Sequence, residues 1–212
     1  MKKILLLLIL LLIPFSANGD DVIVRAKPYI VTLKSLFNQY WPNVDCKYIA
    51  AGQVEQESDW NPKAHLHTKR EDGYGLTQIT VTPKFNNFKN ATAYNPLKIW
   101  NWRNDKYNTT YQLTFLILED RSNFKMVSKY LSGDAEIWKG VLVSYNAGFG
   151  RLQRRHQFAI VKKIPHDRWT SGLELAHEPS ENSKLYGETL WKTVNAYPIL
   201  IFKKSEKYKG ML

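Results

Sequence analysis

A chain of 212 residues that is 44% hydrophobic and 23% charged has enough apolar side chain for one packed domain. That excludes global disorder and requires no second domain. Its formal charge of +11 draws it to polyanions such as nucleic acid, anionic membrane or the acidic polymers of a cell envelope, or simply keeps its surface solvated, and its single cysteine, Cys46, excludes an internal disulfide.

Met1-Lys2-Lys3 is a short basic start, Ile4 to Ile13 is an unbroken aliphatic run, Pro14 ends it, and Ala17-Asn18-Gly19 offers small residues for signal peptidase. Residues 1–19 therefore read as a secretory signal cut before Asp20, with an uncleaved anchor as the alternative. The run falls short of the twenty or so apolar residues of a spanning helix. No cysteine follows it to carry a lipid.

Ile30, Leu33, Phe37, Tyr40 and Trp41 recur at helical spacing until Pro42. Asp45 is placed to cap a second helix, along which Cys46, Ala50 and Val54 form an apolar stripe. Residues 61 to 105 carry Pro62, Pro83, Pro96, Gly73 and Gly75 and the strand-like Ile79-Thr-Val-Thr, which predicts loops and a small hairpin. Helical periodicity returns from Asn108 to Leu131 and stops at Ser132-Gly133. Asp134 is expected to cap the next helix, with Ile137, Val141, Leu142 and Tyr145 along one side and Asn146-Ala-Gly-Phe-Gly as its end. Further helices are expected near 151–162, 168–178 and 186–203. The predicted fold class is mainly α, a single helical domain over residues 20–212 with a small irregular or β insertion.

Helical geometry puts Glu57 on the stripe of Cys46, Ala50 and Val54. A carboxyl at the end of a buried stripe loses solvation, and that favours the protonated acid needed to cleave a glycosidic bond. The spacing allows equally a glutamate at a helix end in water.

Three segments in order carry a resemblance. Glu57-Ser58-Asp59-Trp60-Asn61-Pro62 leads to Gly73-Tyr74-Gly75-Leu76-Thr77-Gln78, and later comes Tyr145-Asn146-Ala147-Gly148. Over residues 45 to 155 the chain resembles the soluble lytic murein transglycosylases of the lysozyme-like superfamily. The resemblance implies an α+β lysozyme-like fold and an exported enzyme of the periplasm or cell envelope. It implies glycan strands of peptidoglycan as substrate and Glu57 as the single acid/base. It also implies substrate contacts from Ser58, Gln78, Tyr145 and Asn146. Where the family carries a serine after Asn-Pro, direct counting reaches Leu66; Thr68, in a longer loop, is the candidate hydroxyl. A late Glu-Thr segment of the family would fall on Glu188 and Thr189, in a register the sequence does not fix.

Each of these residues has a plainer reading. Gln78 suits a loop amide bonded to local backbone, Tyr145 the apolar face of its own helix, and Asn146 a turn. His65-x-His67 has the spacing of a strand-borne metal pair, but neither a cysteine nor a third histidine is near, so no metal and no cofactor is expected. Trp100 and Trp102 read as packing. Lysines and arginines run from Lys27 to Lys209 with a cluster at Arg151, Arg154, Arg155, Lys162 and Lys163. No nucleic-acid-binding motif accompanies them, so the expected partner is peptidoglycan, with peripheral envelope association and no nucleic acid. A muramidase hydrolysing the same bond and a silent glycan-binding protein remain the rivals.

Overall fold

The computed structural model describes residues 19–185 and 187–212, so the predicted secretory signal up to Asn18 lies outside the described residues. Helix α1 covers Gly19–Tyr40 and α2 covers Tyr48–Ser58. Four short strands follow, β1 (His65–His67), β2 (Asp72–Tyr74), β3 (Ile79–Thr82) and β4 (Phe85–Asn86), and pair antiparallel in that order. Short helices α3 (Asn87–Ala91) and α4 (Trp102–Asp105) lead to α5 (Thr109–Val127). Then come α6 (Asp134–Ala147), α7 (Phe149–Lys162), a two-stranded ribbon of β5 (Lys184–Leu185) and β6 (Glu188–Thr189), and α8 (Leu190–Ser205). The expected class, mainly α with a small β insertion, is what the chain adopts.

By their internal contacts the described residues divide into two units, with the boundaries inside α5 and α8: residues 19–118 together with Ile201–Leu212, and Glu119–Leu200.

In the first unit α2 is the central element. Every residue from Ile49 to Ser58 is buried, polar ones included. Its packing against α1 and against the turn Glu206–Tyr208 explains why. Gly52 permits the approach, since a Cβ there would stand 2.8 Å from the Ile201 carbonyl oxygen and from the Ser205 amide nitrogen. The predicted apolar stripe is therefore corrected. Cys46 precedes the helix in a left-handed conformation (φ 61°), Lys47 occupies the cap position without a side-chain cap bond, and the helix has no solvent face. A second cluster joins Ile79 of β3 and Phe88 of α3 to Leu97, Trp100, Phe115 and Leu118. Trp100 meets Phe88 edge-on at 5.0 Å and Trp102 stacks on it at 5.2 Å, so both tryptophans pack as the sequence reading expected.

In the second unit α6 packs on α7, and both meet the irregular turn Trp169–Leu173. Gly148, at φ 79°, ends α6 where the sequence placed its stop. Arg155 and Glu181 are fully buried and lie 2.9 Å apart, with Arg151 3.1 Å from the same carboxylate. Arg151 and Arg155 are thus internal ion-pair partners, and the apparent basic cluster around 151–155 is not a surface patch. Residues 174–178 are not helical, and Lys184–Leu185 pairs with Glu188–Thr189 as the β5–β6 ribbon. The helices expected over 168–178 and 186–203 shrink to the turn and to α8, and Glu188 and Thr189 sit on β6.

Candidate active site

Glu57 lies in the last turn of α2, 2% exposed. Of the two readings left open by spacing, burial is the one realised; the helix end in water is not. One turn earlier, Gln53 is fully buried on the same helical face, and its amide makes no hydrogen bond among the described residues. Sequence reading missed Gln53, because a glutamine in a helix carries no signal of its own burial. Half-buried Lys204 of α8 faces the carboxylates of this region. Burial holds its ammonium below the ordinary lysine range, while Glu55, Asp59 and Glu57 pull it the other way.

The chain leaves α2 through two consecutive left-handed residues that are not glycine, Asp59 (φ 53°) and Trp60 (φ 62°). Such backbone costs of order 1–3 kcal/mol per residue and persists only where its surroundings enforce it. Here Arg25 of α1 holds Asp59, donating to its carboxylate at 2.6 Å and to its carbonyl at 3.1 Å. Trp60, 1% exposed, stacks on Tyr29 with centroids 6.0 Å apart and donates its indole N–H to the Tyr208 hydroxyl at 2.7 Å. The position of Glu57 at the helix end is fixed from both sides by these contacts.

Ser58 is 9% exposed and donates its hydroxyl back to the Val54 carbonyl at 3.1 Å. Gln78 is 4% exposed and also left-handed (φ 44°). Its amide nitrogen donates to the Gly75 carbonyl at 3.0 Å, the local bond that the plainer reading of this residue expects. The side-chain oxygen lies over Gly73, 2.6 Å from where a Cβ would be. Gly73 leaves room for that oxygen, and Gly75 (φ 69°) supplies the turn, closed by its amide bond to the Ala64 carbonyl at 2.7 Å. Thr68 is occupied by the β1–β2 turn, its hydroxyl accepting from the Arg70 and Glu71 amides at 3.1 Å each.

Glu57, Ser58, Thr68 and Gln78 belong to the first unit; Tyr145 and Asn146 belong to the second, in the last turn of α6. Asn146 is 1% exposed and Tyr145 half-buried. Each unit therefore holds part of the motif set: an acid with its following loop in one, a helix end with its glycine stop in the other.

Glu55 is a second buried carboxylate on α2, at 5% exposure. Lys207 donates to it at 3.0 Å and the Tyr208 hydroxyl at 2.6 Å, which makes it a structural acid. Asp59 is committed to Arg25, and Asp72 accepts hydrogen bonds from His65 and His67 at 3.1 and 2.6 Å. Among the described residues, His65, His67 and Asp72 are the group whose donor atoms come within ligand spacing of one another, inside 4.8 Å. The sequence reading found neither a cysteine nor a third histidine beside this pair; the structure places an aspartate of the neighbouring strand there. Set against known proteins, the chain matches no family model and no curated protein.

Proposed function

We propose that the protein is an exported lytic transglycosylase that cuts the bond between N-acetylmuramic acid and N-acetylglucosamine in peptidoglycan. The observation that carries this reading is the burial of Glu57 in the last turn of α2, with one residue, Ser58, between it and two strained, non-glycine left-handed residues. A buried carboxyl is costly and backbone strain is costly, and their coincidence on the segment that resembles the family's catalytic motif is what a catalytic site would require.

In the proposed reaction Glu57 gives its proton to the glycosidic oxygen as the bond to the muramic acid C1 breaks. The sugar's own acetamido oxygen stabilises the cationic centre. Glu57, now a carboxylate, then removes the proton from the 6-hydroxyl as that oxygen closes a 1,6-anhydro ring, and so returns to its starting form. Lys204 favours the carboxylate stage, since it faces Glu57 with a positive charge. Burial favours the protonated stage. Three carboxylates near Glu57 along the chain, Glu55, Asp59 and Asp72, are each held by other side chains, which supports a route without a second acid. Gln78, Tyr145 and Asn146 enter as substrate contacts by resemblance alone.

Mass spectrometry of purified peptidoglycan after digestion tests the proposal. Wild-type protein should release anhydro-muropeptides, and Glu57→Gln should lower their rate by about 10²–10⁴-fold while leaving the fold unchanged by circular dichroism. Reducing-end products dependent on Glu57 would make the protein a hydrolase. Absence of products from folded wild type would leave a binding role.

A further inference from the structure

We propose that the β1–β2 hairpin is a zinc-binding site made by His65, His67 and Asp72. Alternate residues of a strand share a face, so His65 and His67 both project from the same side of β1. The antiparallel register sets Asp72 of β2 directly opposite His67, which brings its side chain to that face as well. The atoms that converge are His65 Nε2, His67 Nδ1 and a carboxylate oxygen of Asp72, Oδ1. Ligand atoms about 2 Å from a tetrahedral zinc stand ~3.4 Å from one another. The three atoms here lie within 4.8 Å, with 3.1 and 2.6 Å to Asp72, so the carboxylate moves outward and the two ring nitrogens draw together to reach that arrangement.

Two features hold the ligands in place. The ring of Tyr74, the cross-strand partner of His65, stacks on it with centroids 4.6 Å apart and planes 12° from parallel. Thr68 ties the turn through its hydrogen bonds to Arg70 and Glu71, so the strand that bears Asp72 starts from a fixed point. Solvent reaches the site from the His67 side, where the imidazole is 73% exposed, leaving a fourth position for water. Two imidazoles and one carboxylate are a borderline donor set suited to zinc rather than to magnesium or calcium, which take oxygen ligands. Bound there, zinc joins β1 to β2 and stiffens the arm that leads to the Gly75–Gln78 turn. The hydrogen bonds from both rings to Asp72 make a metal-free clasp of the same three residues, so zinc replaces protons at those nitrogens.

The test is calorimetric titration of the untagged protein with zinc, repeated with His67→Ala, Asp72→Asn and His166→Ala, and paired with the visible spectrum of the cobalt-loaded protein. His67 is mostly exposed, so its loss leaves the fold intact. One equivalent of zinc should bind the wild type and His166→Ala alike, about 10–100-fold more weakly to each of the other two variants. Cobalt should give the intense bands of a four-coordinate site. No one-to-one binding to the wild type, or affinity unchanged in His67→Ala and Asp72→Asn, would overturn the assignment. Loss of glycan cleavage by Glu57→Gln is a separate readout and does not bear on it.

Discussion

Tyr208 accepts a hydrogen bond from the Trp60 indole at 2.7 Å and donates its own hydroxyl to Glu55 at 2.6 Å, joining the exit from α2 to its interior. Burial, then the bond to Glu55, pushes the phenol well above the ordinary tyrosine range, so it remains a donor at any physiological pH. Replacing it with phenylalanine strands both an indole N–H and a buried carboxylate oxygen. Tyr208→Phe should therefore cost about 2–3 kcal/mol in urea denaturation. Its cleavage rate per folded molecule should fall far less than that of Glu57→Gln, because it loosens the exit from α2 without removing the acid, whereas Glu57→Gln should leave stability nearly unchanged. The burial of Glu57 was one of two readings that its spacing left open. The role of Glu55 was not legible in the sequence. Its partners lie 152 and 153 positions away, and nothing in a helical glutamate announces them. Asp72 was hidden for the same reason: only the register of β1 with β2 brings it to His65 and His67.

Among the elements, those with a long regular period were read closely. Residues 109–127 and 134–147 form helices near their expected limits, and Gly148 ends the second because its left-handed backbone suits glycine. Glu188 and Thr189 were misjudged as helix because a two-residue strand is too short to show alternation. In α2 the expected stripe failed for a different reason: a helix buried on all sides has no polar face to contrast with an apolar one. Its fit against α8 is close enough to test directly. Gly52→Ala would push a methyl group into the backbone at Ile201 and Ser205, which cannot swing aside as a side chain can. The expected loss is about 1–3 kcal/mol, seen as a lower melting temperature in calorimetry. An unchanged melting temperature would mean that α2 and α8 are less closely packed than the 2.8 Å approach implies.

Across the whole molecule, charge was counted correctly but located poorly. A formal +11 was plain from composition, yet Arg151 and Arg155 are buried against Glu181 and are not part of the exposed charge. The remaining lysines and arginines are spread along the chain, so attraction to any polyanion is diffuse and open to screening. Pelleting with purified cell-wall sacculi should fall steeply as salt rises from about 0.1 M to 1 M, since the screening length contracts from roughly 10 Å to 3 Å. Retention at 1 M would transfer the work of binding from charge to direct glycan contacts. The clasp of Lys207 and Tyr208 on Glu55 also imposes an order on synthesis. As the chain leaves the ribosome, α2 emerges long before the residues that neutralise it. An isolated amino-terminal fragment would hold a buried acid and an indole with no partners. The helix that bears Glu57 therefore gains its final contacts only once residues 207 and 208 have been made, and the protein stays unfinished while most of it is still being built.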